Sequence, residues 1–142
     1  MEYEMASAYG MLVIAEVPNV NFQQEHFSNP ELMELATNQL KETVKYLENE
    51  TCIMFWSLFI ECKTYEDSAV DFVRKYTKLV KELDPTRFTV HASDIPAEDR
   101  TYDYFDIIGV NYWLGCGISA NPSRKAADSW TPLPHDIPTS RY

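Results

Sequence analysis

The stretch Ile53-Met54-Phe55-Trp56-Ser57-Leu58-Phe59-Ile60-Glu61-Cys62 decides the fold. Apart from Ser57, its residues up to Ile60 are apolar, rich in aromatic and β-branched side chains, and they run into one carboxylate. A short run without polar alternation reads as a strand buried on both faces, which requires covering helices and therefore a parallel sheet. A parallel strand that delivers a single acid at its C-terminal end is also how α/β barrels present reactive groups at their rim. Taken alone, the segment reads more simply as a core strand whose Glu61 marks the exit into solvent.

Working outward, strands and helices alternate. Before the stretch, residues 2–9 predict a short helix stopped by Gly10, and Met11–Val17 a buried strand. Residues 18–28 read as loop. Asn29-Pro30-Glu31 then combines a capping side chain, a proline at the first turn and an acid on the positive end of the helix dipole. Leu32, Ala36, Leu40, Val44 and Leu47 follow on one helical face. After the stretch, Thr64 and Asp67 resemble a capping box, and Ala69, Phe72, Val73, Tyr76, Leu79, Val80 and Leu83 form the next apolar stripe, ended by Asp84-Pro85. Phe88–Ser93 and Asp106–Asn111 predict two further strands, separated by a loop or short helix rich in Asp, Glu and Tyr. The pattern is α/β: about four parallel strands with covering helices. No internal repeat stands out. Four of the eight prolines fall in residues 118–142, which read as an irregular tail after a domain spanning 1–117.

Composition sets the outer bounds. The 142 residues suit one domain, and a hydrophobic content of 45% can fill a core. No apolar run approaches the roughly 18–20 residues that span a bilayer, and the acidic start Met1-Glu2-Tyr3-Glu4 lacks the plan of a signal peptide. Twelve basic against 22 acidic residues leave a net charge of −10, which disfavours nucleic acid and anionic membranes as partners. The three cysteines, Cys52, Cys62 and Cys116, show no CxxC spacing, so reduced thiols in a cytoplasmic setting are expected. No motif points to a cofactor.

Several segments, in order and at suitable spacing, resemble glycoside hydrolase family 2, especially its β-glucuronidases. Ala8–Pro18 is similar to the family's third barrel strand, and Asn29-Pro30-Glu31-Leu32 with Gln39-Leu40-Lys41-Glu42 to the helix that follows. Trp56-Ser57-Leu58-Phe59-Ile60-Glu61 stands where the family reads Trp-Ser-x-Gly/Ala-Asn-Glu, a motif ending in the general acid/base. Leu83-Asp84-Pro85-Thr86-Arg87 resembles the next helix end, and Tyr104–Asn111 the sixth strand. The resemblance covers roughly residues 2–115. It implies a TIM-barrel hydrolase acting on a glycoside or other small molecule, of which only strands three to six are present, since a complete barrel takes about 250 residues.

The departures bear on the site. Ile60 replaces the asparagine that contacts the sugar 2-hydroxyl, Phe59 replaces a small residue and implies a bulkier floor, and Ala15 replaces an aspartate before Glu16. Gly115-Cys116-Gly117 interrupts an aromatic stretch that contributes to the family's pocket. The nucleophilic glutamate of the seventh strand has no counterpart. Half a barrel also leaves two open sheet edges and an apolar inner face, a demand met most economically by a homodimer that closes an eight-stranded barrel.

The C-terminal ends of the strands bring forward the candidate site. Glu61 holds the acid/base position, with Glu16 or the partner's Glu61 as the second carboxylate. Retaining glycosidases hold two such groups about 5–5.5 Å apart. His91, Asp94, Asn111 and Trp113 are the candidate substrate contacts. For Glu16 a scaffolding role weighs as much as a catalytic one, and His91 reads more simply as a hydrogen-bonded strand residue. No ligand spacing marks a metal site. Two alternatives stay open: an ester or phosphoester hydrolase in which His91, Glu16, Glu61 and Asp94 act as acid and base or hold a divalent metal, and a non-catalytic binding module. Cys62, next to Glu61, reads as a packing thiol rather than a nucleophile.

Overall fold

The computed structural model describes residues 2–94 and 97–111. Helix α1 (Glu2–Ala8) leads into strand β1 (Val13–Glu16), and the one-turn α2 (Gln24–Phe27) and long α3 (Pro30–Leu47) lead to β2 (Ile53–Ile60). Helix α4 (Asp67–Leu83) connects to β3 (Phe88–Ser93), and a 3-10 turn at Tyr102–Tyr104 precedes β4 (Ile107–Val110). The strands form one parallel sheet whose spatial order is the chain order, β1-β2-β3-β4. This is the α/β arc of a partial barrel. No described helix is long and apolar enough to cross a membrane.

The helices form where the apolar spacing places them. Asn29 caps α3, its side chain accepting from the Glu31 and Leu32 amides at 3.0 and 3.2 Å, and Pro30 occupies the first turn. The buried stripe of α3 is Met33, Ala36, Leu40, Val44 and Leu47, so Met33 is buried at the start of the stripe and Leu32 only partly. Helix α4 differs from expectation at its start. Thr64 is fully buried, with its hydroxyl directed to the Cys62 carbonyl, and Glu66 is the residue before the helix, without a side-chain cap. The segment 18–28, read as loop, contains α2, a single turn too short to leave a periodic trace. Gly10 stops α1 in the left-handed region, at φ +66°.

The register separates the two faces of the sheet. Ala15, Trp56 and Thr89 lie side by side, as do Phe59, His91 and Ile108. Ala15, Trp56, Thr89, Phe59 and His91 are buried, and Phe59 packs against Phe27, Phe72 and Tyr76 of the helices. The alternate rows, Ile14–Phe55–Phe88 and Glu16–Ser57–Val90–Ile107, point away from the helices. On that open face Ile14 is 54% exposed, Phe88 49% and Ile107 36%.

Two polar clusters fix the sheet. A bulge at Leu58 breaks the β2–β3 register, and buried Asn19 donates to the Leu58 carbonyl at 2.9 Å and to the Tyr76 hydroxyl at 2.8 Å. At the opposite end, Arg87 binds Asp84 at 2.7 Å, the Ile53 carbonyl at 2.9 Å, and the carbonyls of Glu48 and Glu50 at 3.0 and 2.8 Å. The Trp56 indole also donates to Asp84, at 2.9 Å, and the guanidinium lies 5.5 Å from the Trp56 ring. Burial pushes the Asp84 carboxyl up, but donors from Thr86, Arg87 and Trp56 outweigh it and hold the group well below the usual range.

Candidate active site at the rim of the sheet

Glu61 is the first residue past β2, and its backbone is unusual. Strict alternation after Phe59 and Ile60 would send its side chain toward the helices. Instead Glu61 adopts φ +54°, in the left-handed region that a non-glycine residue occupies at a cost of roughly 1–3 kcal/mol. The Glu61 amide donates to the Ala92 carbonyl at 2.7 Å. Asn111, just past β4, donates from Nδ2 to Glu61 Oε1 at 3.1 Å. A strained backbone and an amide from two strands away together orient one half-buried carboxylate at the C-terminal rim.

The other expected site residues fall in different places. Asp94, past β3, also reaches the rim; Lys63 holds its Oδ2 at 2.9 Å, while the buried Oδ1 has no hydrogen-bond partner among the described residues. Glu16 is exposed on the open face, but it pairs with Ser57, which pairs with Val90, whereas Glu61 follows the Ile60–Ala92 pair. That register puts Glu16 about three residues, or about 10 Å, deeper than Glu61 along the strands. Trp113 lies outside the described residues, as do residues 118–142 and the expected boundary at 117.

His91 stands on the helix side, away from the open face. Its ring is 0% exposed, Nδ1 lies 3.1 Å from the Phe59 carbonyl, and Nε2 lies 2.6 Å from Asp99 Oδ2. The carbonyl can only accept, so Nδ1 carries a proton, and a second proton lies between Nε2 and Asp99. The ring stacks on Phe105 with centroids 5.2 Å apart, and Asp99 Oδ1 accepts from the Thr101 amide and hydroxyl at 2.9 and 2.7 Å. His91 therefore pins the β3–β4 connection, and both ring nitrogens are in use. The grouping of His91 with Glu16, Glu61 and Asp94 around a metal does not form, and no metal-holding group of three His, Cys, Asp or Glu occurs among the described residues. Phe59 likewise turns into the helix layer, so the bulkier floor expected from it is absent. Burial pushes the Cys62 thiol up to about 11, which keeps it protonated, as a packing thiol should be.

Sequence reasoning missed Asp99 and Lys63, which carry no periodic or motif signal, and the left-handed turn at Glu61. The Asp99 carboxyl is raised by burial but lowered further by His91 and Thr101, to about 2. A carboxyl depressed in the folded chain contributes stability that is complete above its unfolded value near 3.9 and lost as pH falls toward 2. Urea unfolding between pH 5 and 2 should show a loss of about 2 kcal/mol from this group. Asp99→Asn should be less stable at pH 5 and show a shallower acid slope than the parent; parallel slopes would contradict the assignment.

A parallel, helix-covered sheet with an oriented acid at its C-terminal rim defines a TIM-barrel-type domain. The chain belongs to the glycosyl hydrolases family 2, TIM barrel domain, whose family model matches residues 1–119. It is 29% identical over 118 residues to a β-glucuronidase of Paenibacillus borealis, covering 76% of this chain and 20% of that protein. It is 32% identical over 96 residues to a β-glucuronidase of Bacteroides fragilis, covering 65% and 14%. The solved β-glucuronidase of an uncultured Clostridium species superposes with a TM-score of 0.80 at 25% identity, over 89% of this chain and 23% of that one. The chain thus spans about a fifth of the length of the relatives it matches.

Proposed function

We propose that the chain is a glycosidase-type hydrolase in which Glu61 is the general acid/base. The observation that supports the reading is the left-handed backbone of Glu61 together with its hydrogen bond from Asn111, which hold one carboxylate at the C-terminal end of a parallel sheet, the end from which barrel enzymes draw their reactive groups. As acid, Glu61 protonates the glycosidic oxygen while the glycosidic bond breaks and a second carboxylate, on this reading the Glu61 of a second copy, bonds to the anomeric carbon; as base, it then takes a proton from the water that displaces this carboxylate. Ile60 stands on the open face next to it and offers no amide to a sugar hydroxyl. Asn111 supplies the nearby polar group but spends one donor on Glu61 itself. The names of the relatives point to β-linked uronides as the first substrates to try.

The second reading is a binding module that holds a sugar without cleaving it. It is favoured by the separation of Glu16 from Glu61 and by the pairing of Asp94 with Lys63. Release of the aryl group from aryl β-glucuronides and aryl β-glucosides by the purified chain tests the proposal, with aryl esters and phosphoesters assayed alongside, each with and without chelator. Turnover of an aryl glycoside that is lost in Glu61→Gln supports the glycosidase. Binding of a uronide without turnover supports the binding module, and turnover of esters alone, unchanged in Glu61→Gln, overturns both.

A further inference from the structure

Among the described residues no further strand pairs with the outer edges of β1 and β4, and these two edges match each other. In a parallel ladder the N–H and C=O of one residue point to the same side. Val13 and Val17 donate into β2, so Ile14 and Glu16 direct their backbone groups outward from β1. Asn111 donates into β3, so Ile108 and Val110 direct theirs outward from β4. Because the strand order is the chain order, a two-fold axis parallel to the strands carries one copy's β1 edge onto the β4 edge of the other, with all strands parallel. The open face supplies the apolar surface for such a closure. Ile14, Phe88 and Ile107 are exposed there beside half-buried Phe55, an apolar patch on the order of a few hundred Å², the size of the largest such patch on a typical surface and one that often serves association. The other face of the sheet is covered by the helices.

We propose that a second copy of the chain covers the open face, β4 of each copy pairing with β1 of the other to close one eight-stranded barrel. Strand spacing and tilt give such a barrel a diameter of roughly 15 Å. In it β2 of the two copies stand opposite each other, so the two Glu61 side chains point across one shared mouth. Each reaches a few Å inward, leaving a carboxyl separation of the order at which paired acids cleave glycosides. The assembly stands on the sheet alone; the shared pair of acids rests on the function proposed above. Each copy carries −10, so rising salt strengthens the association.

Sedimentation of the 142-residue chain at micromolar concentration should return twice 16.5 kDa. Amide exchange should show Ile14, Glu16, Ile108 and Val110 protected, with the protection falling on dilution. Ile14→Lys and Ile107→Lys should lower the mass toward that of one chain, while Leu35→Lys on the exposed outer side of α3 leaves it unchanged. A monomer at tens of micromolar overturns the proposal, whether or not residues 112–142 cover the face. A dimer whose edge amides exchange freely overturns it as well, and that measurement on the parent chain holds even where the lysine variants do not fold. Mass and exchange are read without activity, so an inactive dimer refutes only the proposed function.

Discussion

Glu61→Gln is expected to fold like the parent and to turn over aryl glycosides about 10²–10⁴-fold more slowly. The amide keeps the shape and can still accept from Asn111, but it neither gives nor takes a proton at the anomeric centre. Stability should change little, because the left-handed backbone is retained and only the charge is lost. Steady-state rates on one aryl glucuronide, with circular dichroism of both proteins, check the prediction. Equal rates in parent and variant would remove Glu61 from the chemistry, leaving Asp94 as the rim carboxylate to examine.

Arg87→Ala should be strongly destabilising, by about 3–5 kcal/mol. The guanidinium holds Asp84 and three backbone carbonyls, tying the end of α3, the start of β2 and the end of α4 together. Removing it leaves a buried carboxylate short of donors and three carbonyls short of partners. Arg87→Lys should recover only part of the loss, because one ammonium cannot reproduce the planar fork. Urea midpoints at a single fixed protein concentration give the comparison, since self-association would otherwise move them. An Arg87→Ala midpoint within error of the parent would show that the cluster is decorative.

These two sites differ in how far the sequence discloses them. The parallel sheet was legible because each strand is a short apolar run and each long helix carries its stripe; Phe88–Ser93 emerges as read, and Asn29 caps α3 as its residue type requires. The start of α4 was misplaced because Thr64 spends its hydroxyl on a local carbonyl, an option that spacing alone does not reveal. Glu61 was legible from its place at the end of an apolar run, and Asn111 from the end of the last strand. Which face each side chain takes was not. Phe59 and His91 point to the helices because of the bulge at Leu58 and the pairing register, and both arise from contacts between residues more than thirty positions apart. Asp99 was illegible for the same reason, since its importance comes from His91, eight residues away in sequence and on another element.

The turn at Glu61 also offers a means of reading history from sequences alone. A glycine at that position would adopt the same backbone at no steric cost. Drift in a lineage that no longer used the carboxylate would therefore move toward glycine, gaining stability with each such replacement. Retention of glutamate at 61 among natural variants of this chain would then record selection for its acid against a standing thermodynamic incentive to discard it. Replacement by glycine would date the point at which the rim fell out of use.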